Sequence, residues 1–499
     1  MRKLRVGRTK LLLFLFWTMA LLLVFGSTAA QYTMTLLGAL LATVVAVLTY
    51  RWQPRSSQWV SRISLHTPYL TLSAALIASA SDVVGFASQG PPWRYAVIMP
   101  IMCLVAALDG NNRRRVVQCR GTHSNNIVRG VRSSSLLSNN IILIVAFAIL
   151  CISYLGVGIY FDNFNADNFI VPVPPFILLS YGLGFFLGSD WRFAHTATGE
   201  MLDRIPIFQH RAARLFSIVA LAYSVIALAD ASWAPFSSPP PFANHETLFV
   251  LIAAAVIAPR YRTATLLVGS VAVAVSTMKY PTATLLLIVI SGVLIVAISR
   301  LFTGRSVYVA LLASVPAVGL FYSAYGEKIV QQFYQQSSRT NNSNTRERLW
   351  SQGFDVIAEN PIVGGHGQVS ITARALIDGR LANVPFHNSL ITLGVFGGLL
   401  CIILFVALVV AGAVVCVRRL ANSNGSAVCP LIALTGMFLT LLFNPVLDSL
   451  GNSVCTYAIL IWVLSQNAAD LDSGVGSSEN ESASDYASPR RALNVGGWK

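Results

Sequence analysis

The sequence SLITLGVFGGLLCIILFVALVVAGAVVCV runs from Ser389 to Val417 without a charged side chain. A helix needs about 20 consecutive apolar residues to cross the hydrocarbon core of a bilayer. This run is longer than that, and Arg418 and Arg419 follow it directly. It therefore predicts a membrane-spanning helix, and the class of the protein depends on how often the pattern recurs.

Composition shows that such runs fill most of the chain. Of 499 residues, 55% are hydrophobic and 11% are charged, and the mean hydropathy is +0.64. Soluble proteins carry roughly 25% charged residues, and disordered scaffolds have few apolar residues and many charges. A water-soluble multidomain enzyme and a disordered scaffold are both excluded. The seven cysteines form no CxxC pair, so neither a disulfide framework nor a thiolate metal site is expected.

The apolar runs predict an all-α polytopic integral membrane protein with about fourteen transmembrane helices. The candidate spans are 11–30, 33–50, 69–88, 92–109, 141–160, 170–188, 212–231, 246–258, 264–278, 281–303, 306–324, 389–417, 427–443 and 450–466. The run at 246–258 is short, and only Lys279 and Tyr280 separate 264–278 from 281–303. Twelve or thirteen spans therefore stay open as alternatives.

Arginine and lysine residues lie in alternate loops of this arrangement. The N-terminus and every even-numbered loop are basic, from Arg2 to Arg419, whereas the odd loops mostly lack Lys and Arg. Cytoplasmic loops carry such an excess, so the net charge of +15 indicates topology rather than nucleic-acid binding. Both termini are predicted to be cytoplasmic. Residues 11–30 are either an uncleaved first span or a cleaved signal peptide, and both alternatives leave Gln31 outside.

One polar stretch interrupts the alternation of spans and short loops. Residues 1–324 are predicted to contain spans 1–11. Residues 325–388 then form one large external (periplasmic) loop between the eleventh and twelfth spans, with short helices that carry the site. Residues 389–466 contain spans 12–14, and 467–499 form a disordered cytoplasmic tail. Loops longer than about 15 residues are usually functional, so function is expected in the external loop.

Residues 345–361 of the external loop predict a helix. Thr345 is a plausible N-cap for a helix over Arg346–Glu359, and Asn360-Pro361 would end that helix. Arg346 and Trp350 lie four residues apart and therefore share a helix face.

The rest of the external loop, residues 364–388, predicts a turn and the approach to the next span. Glycines give backbone freedom to a turn at Gly364–Gly367. His387 then lies where the chain re-enters the membrane, and either Asn388 or Ser389 caps the following helix. Glycines within that helix allow it to pack closely against a neighbour.

A histidine and several cations are thus expected at the outer surface, next to lipid. The planar fork of arginine suits phosphate, and histidine is the usual general base near neutral pH. A lipid diphosphate would use both, so His387 and Arg346 are the candidate catalytic residues. Lys279, Arg348 and Arg94 are further candidates for binding the diphosphate.

Each of these residues also has a structural interpretation. Arginine and lysine near a membrane interface commonly extend their charges toward water, and Arg348 can pair with Glu347 or Asp355. His387 can be a capping or hydrogen-bonded interface residue, and His366, flanked by glycines, indicates turn chemistry. Asp82 is an intramembrane acid, a class that is functional by default, although it lies near the outer end of its span.

The loop resembles the O-antigen ligase and O-antigen polymerase (Wzy-type) superfamily of bacterial envelope polysaccharide enzymes. The family pattern is a small polar residue followed by Arg, a Trp four residues on, Asn-Pro, Gly-x-Gly, His-Asn and a glycine-bearing helix. The matching residues are Thr345-Arg346, Trp350, Asn360-Pro361, Gly365–Gly367, His387-Asn388 and Gly397-Gly398. Each piece alone is a weak signal, whereas the combination is fairly specific.

The resemblance implies a membrane glycosyltransferase of the bacterial inner (cytoplasmic) membrane. It implies transfer of a glycan from an undecaprenyl diphosphate carrier to a saccharide or lipid-linked saccharide acceptor on the periplasmic face, without cofactor or metal. His387 would activate the acceptor hydroxyl, and Arg346 would hold the diphosphate. The supporting positions would be Trp350, Asn388, Gly365 and Gly367. A chain-length regulator would be a further partner.

The sequence departs from the family pattern at one position. Many members carry a Ser-Arg pair at the outer start of an earlier span, where this chain reads Met278-Lys279-Tyr280. Either Lys279 replaces that arginine, or another cation such as Arg94 or Arg339 does.

Polymerases and ligases share the motif, so two functions within the class stay open. Polymerisation of surface or exopolysaccharide repeat units is the expectation, and attachment of O-antigen to lipid A–core is the alternative. An alternative of another class is a polysaccharide transporter or lipid-linked glycan flippase. Such proteins tend to show two related halves and broken helices near the midplane, and the sequence contains no internal repeat.

Overall fold

The computed structural model describes the following residues of the chain: 71, 75, 98–107, 109–110, 113–114, 127–161, 171, 174–187, 291–292, 294–299, 342–367, 372–377, 380–421, 428–443, 446–448 and 450–465. The helices are α1 (Ile127–Tyr160), α2 (Pro175–Leu187), α3 (Asn342–Glu359), α4 (Ser389–Ala421), α5 (Val428–Phe443) and α6 (Leu450–Leu464). A 3-10 turn, Val446–Asp448, joins α5 to α6, and the strands are β1 (Thr372–Ile377) and β2 (Arg380–Pro385).

Two of the described helices are long and apolar enough to cross a membrane, namely Asn139–Tyr160 within α1 and the whole of α4. Shorter apolar helices are Ile98–Ala107, Pro175–Phe186, Pro430–Phe443 and Asn452–Leu464. Each lies inside a predicted span, so helical structure is confirmed at these places. The other predicted spans lie outside the described residues, apart from helical positions at 71, 75, 291–292 and 294–299. The total of fourteen stays a prediction.

Large apolar side chains are exposed along both long helices. Ile149 and Ile159 of α1 are 51% and 53% exposed, and Ile403 and Val410 of α4 are 60% and 54% exposed. Exposed apolar area is unfavourable in water and suits contact with lipid tails. These two helices therefore suggest a membrane protein.

The helix α4 is broken near its beginning. Gly397 has φ −145° and ψ 23°, and Gly398 has φ 70° and ψ −169°, which are not helical values. The predicted single span over 389–417 is therefore two helical segments, 389–396 and 399–421. The physical reason is the Gly-Gly pair, because glycine alone adopts the Gly398 conformation without steric cost.

The turn after α3 fills this break. The N–H groups of Gly365 and Gly367 donate to the carbonyls of Val395 (2.6 Å) and Phe396 (3.0 Å), and the N–H of Leu399 donates to the carbonyl of Pro361 (2.7 Å). Backbone groups that lose their helical partners at membrane depth are tolerated only where protein satisfies them. The turn supplies those partners, so loop and helix form one unit.

The ends of the helices show where this unit lies in the bundle. Gly158, in the last turn of α1, abuts the backbone of Gly367, and the Ser389 hydroxyl accepts the N–H of Leu447 between α5 and α6 (3.3 Å). The C-terminus of α1, the N-terminus of α4 and the link from α5 to α6 therefore share one end. Below them, the ring of Phe147 packs against Phe405 with centroids 5.7 Å apart.

The polar loop contains a hairpin as well as a helix. Strand β1 pairs antiparallel with β2, and the register joins Ile377 to Arg380 across two intervening residues. Those residues are Asp378-Gly379, and Asp-Gly between strands is a strong hairpin signal. The expectation of short helices in this loop was therefore incomplete, because a β-hairpin follows the helix α3.

Candidate functional site

His387 lies between β2 and α4 and is partly buried. Its φ is +52°, a left-handed conformation that few residues other than glycine adopt. The next residue is the helix cap, because the Asn388 side-chain oxygen accepts the N–H groups of Leu390 (2.9 Å) and Ile391 (3.2 Å). Of the two alternatives left open by the sequence, Asn388 is the N-cap of α4. The cap fixes the backbone immediately after His387.

The helix α3 brings Arg346 to the same place. It begins at Asn342, so the prediction of Thr345 as N-cap is wrong. Asn342 and Ser343 are as favourable as threonine at a helix start, which explains the earlier beginning. The helix ends at Glu359, before Pro361, as predicted.

One face of α3 is buried against residues on both sides of His387. Leu349 is fully buried, Gly353 abuts the side chains of Ile391 and Phe386, and Ile357 abuts Gly394. Arg346 and Trp350 belong to this face, since residues three and four positions apart are neighbours on a helix. Packing of α3 on α4 therefore carries Arg346 and Trp350 toward His387.

The two candidate catalytic residues interact electrostatically. Burial, followed by the positive charge of Arg346, lowers the pKa of His387 from 6.5 to about 4. Both effects disfavour the imidazolium ion. At neutral pH His387 is therefore uncharged, which leaves one ring nitrogen free to accept a proton.

The glycine-rich turn lies against the break in α4. Gly364 and Gly367 have φ values of +54° and +70°, as the prediction of a flexible turn requires, and His366 has a φ of +56°. The His366 ring meets the ring of Phe161 edge-on, with centroids 5.3 Å apart. The structure thus gives His366 a place in the turn.

Tyr154 is a residue that sequence analysis missed. Its hydroxyl donates to the Ile362 carbonyl (2.6 Å), and its ring packs edge-on against Phe396 with centroids 6.1 Å apart. It also abuts Gly397 in the helix break. Tyr154 therefore holds the turn and α4 together. The only sequence signal was a tyrosine within an apolar run, which is too common to be specific.

Arg348, another predicted site residue, does not lie on the face of α3 that carries Arg346 and Trp350. Arg348 is exposed and lies two positions from Arg346, which places it on nearly the opposite face of α3. Lys279, Arg94, Asp82 and Arg339 lie outside the described residues.

Within the described ranges, no three His, Cys, Asp or Glu side chains come together as a metal site would require. A scan against protein-family models and a search of curated proteins find no match for this chain.

Proposed function

We propose that the protein is a membrane glycosyltransferase that moves a glycan from undecaprenyl diphosphate to an acceptor sugar hydroxyl. The observation that carries this proposal is the pairing of an uncharged histidine, His387, with the cation Arg346 at the N-terminus of a membrane-length helix. The motif resemblance adds to it. Polymerisation of surface or exopolysaccharide repeat units is the form of the reaction that we propose.

In this reaction His387 acts as general base. It accepts the proton of the acceptor hydroxyl while that oxygen attacks the anomeric carbon of the donor. The bond between the anomeric carbon and the diphosphate oxygen breaks, and its electron pair leaves with undecaprenyl diphosphate. Arg346 offsets the negative charge that develops on the leaving group. Direct attack inverts the anomeric centre once.

Because the pKa of His387 is low, binding of the donor substrate is expected to increase the basicity of this residue. An imidazole with a pKa of about 4 is uncharged at neutral pH, yet it is a weak base. A diphosphate bound to Arg346 offsets the charge that disfavours the imidazolium, so it raises the pKa of His387. The base becomes stronger only when the donor is in place.

We further place this reaction on the periplasmic side of the bacterial inner membrane, in a multi-pass chain with both termini in the cytoplasm. Lys279 and Arg94 are proposed as additional cations for the diphosphate, from parts of the chain outside the described residues.

The break in α4 is also a feature of transporters, but its position favours an enzyme. Transporter helices break near the midplane, around a transported substrate. Here the break lies beside Tyr154, and the turn that fills it meets Gly158. Both residues belong to the last two turns of α1, so the break lies near one end of that helix and not near its middle. It is filled by protein backbone.

The test uses a strain in which the gene is deleted. Envelope glycans are profiled by gel and mass spectrometry, with complementation by the native chain, His387→Ala, Arg346→Ala and the control Ser351→Ala, an exposed position of α3. We expect both site variants to lose most polymer while keeping native membrane levels, because a general base contributes roughly 10²–10⁴-fold in rate. The control keeps full polymer.

The glycan profile separates the competing functions. Single repeat units on a normal acceptor support a polymerase, and long chains left on undecaprenyl diphosphate indicate a ligase. Unchanged glycans, or full polymer length in both site variants, contradict the proposed mechanism and favour a transporter.

A further inference from the structure

Two hydrogen-bond donors on the buried face of α3 have no partner in the part of the chain that the structure describes. The Nε of Arg346 and the Nε1 of Trp350 are both shielded from solvent, and neither has a hydrogen-bond acceptor in the described part of the chain. A buried donor without an acceptor costs free energy, and a buried Trp N–H usually finds a partner. Here two such donors lie one turn apart on the same face of α3.

The neighbouring acceptors cannot serve both donors. The Asn388 side-chain oxygen is engaged by two amide N–H groups of α4. An uncharged His387 offers a single acceptor nitrogen, which can serve at most one of the two donors. Oxygen atoms of a bound ligand would supply the missing acceptors.

The chemistry of the two donors indicates the kind of ligand. A guanidinium favours oxyanions, and the indole N–H is a donor only. Cβ atoms one helical turn apart are about 5–6 Å from each other, so the two side chains are near enough to bind one ligand. A diphosphate carries anionic oxygens on two linked phosphoryl groups, so it can accept from both donors.

We propose that Arg346 and Trp350 form a two-donor site for a diphosphate group, in which the Trp350 N–H binds the second phosphoryl group. The identity of the carrier lipid rests on the proposed function, whereas the recognition of diphosphate does not. Because both nitrogen atoms are shielded from solvent, this site requires neighbouring groups to move when the ligand binds. Trp350 thus has a recognition role beyond packing.

Trp462 is a matched control within the same chain. Its Nε1 is also buried without a partner, but it lies near the end of α6 opposite to the link with α5. Trp350→Phe and Trp462→Phe both delete one buried indole N–H and keep an aromatic ring. Only the first removes a donor next to Arg346.

The experiment measures binding of inorganic diphosphate to the full-length chain in nanodiscs of neutral lipid, by calorimetry. We expect Trp350→Phe to weaken binding roughly tenfold, since a hydrogen bond to a charged group is lost, and Trp462→Phe to leave it unchanged. In parallel, ¹⁹F spectra of the 5-fluorotryptophan-labelled chain follow the resonance that is absent from Trp350→Phe. Diphosphate should shift it saturably.

Three results would overturn the site: equal affinity in the native chain and Trp350→Phe, equal weakening in both variants, or no change in the Trp350 resonance. Undecaprenyl diphosphate and phosphatidylglycerol nanodiscs distinguish the sources of the anion. A shift with phosphatidylglycerol and none with either diphosphate also overturns it. Diphosphate binding together with unchanged glycans in the deletion strain would contradict the proposed function and leave the two-donor site standing.

Discussion

His387 combines a backbone conformation and an environment that histidine seldom adopts. Its left-handed φ costs on the order of 1–3 kcal/mol and persists only when the surroundings determine it. The Asn388 cap on one side and β2 on the other supply those surroundings. The folded site also disfavours protonation, so its contribution to stability is present above pH 6.5 and is lost as the pH falls toward 4.

Removal of the Arg346 charge should change the titration of His387. In Arg346→Gln the pKa rises above 4 but stays below 6.5, because the electrostatic effect is gone while burial, the larger cause, remains. The pH dependence of carbethoxylation by diethyl pyrocarbonate, followed by mass spectrometry of the His387 peptide, measures the midpoint. Arg348→Gln, which deletes an exposed charge from the other face of α3, should leave the midpoint for His387 unchanged. Identical midpoints in the native chain and Arg346→Gln would contradict the pairing of Arg346 with His387.

The break in α4 depends on Gly398, a position that no other residue type can occupy without strain. Gly398 has φ 70° and ψ −169°, and an added Cβ would meet the carbonyls of Pro361 and Ile362. Gly398→Ala should therefore destabilise the unit of turn and helix by about 1–3 kcal/mol or more. The purified protein in detergent should show a lower thermal transition.

Gly156→Ala is the control for this substitution. Gly156 is exposed in α1, and an added Cβ meets nothing within 4 Å. The thermal transition temperature of Gly156→Ala should therefore stay unchanged or rise. If Gly398→Ala unfolds at the native temperature, the break is not a required feature of α4.

Among the helices and turns, local sequence signals predicted some features of the site correctly and others wrongly. The Asn360-Pro361 stop, the glycine turn and the cap at residue 388 or 389 depend on neighbours in sequence, and the structure confirms them. The Gly397-Gly398 pair was interpreted as a packing feature, because its sequence does not show that a turn from another segment satisfies the broken helix. The start of α3 was misplaced because several capping residues lie in a row.

For the whole molecule, the arginines predict which end faces the cytoplasm. Arg129 and Arg132 lie in the first turns of α1, and Arg418 and Arg419 in the last turn of α4, whereas the other ends of both helices meet at the turn. The positive-inside rule therefore predicts that His387 lies on the outer side of the membrane. Alkaline phosphatase fused after Gly379 should be active, and a fluorescent protein at the C-terminus should fluoresce. An inactive phosphatase at Gly379, with an active one at the C-terminus, would invert this topology.

The sequence by itself determined the apolar helices, the polar loop and the candidates Arg346 and His387, because hydropathy, helix stops and side-chain chemistry are local properties. Only the tertiary structure decided which candidates meet. Arg348 is as basic as Arg346, but packing of α3 on α4 buries one face of the helix and leaves the other exposed. The lowered pKa of His387, the role of Tyr154 and the unpaired donors arise from contacts between segments distant in sequence, which no local pattern records.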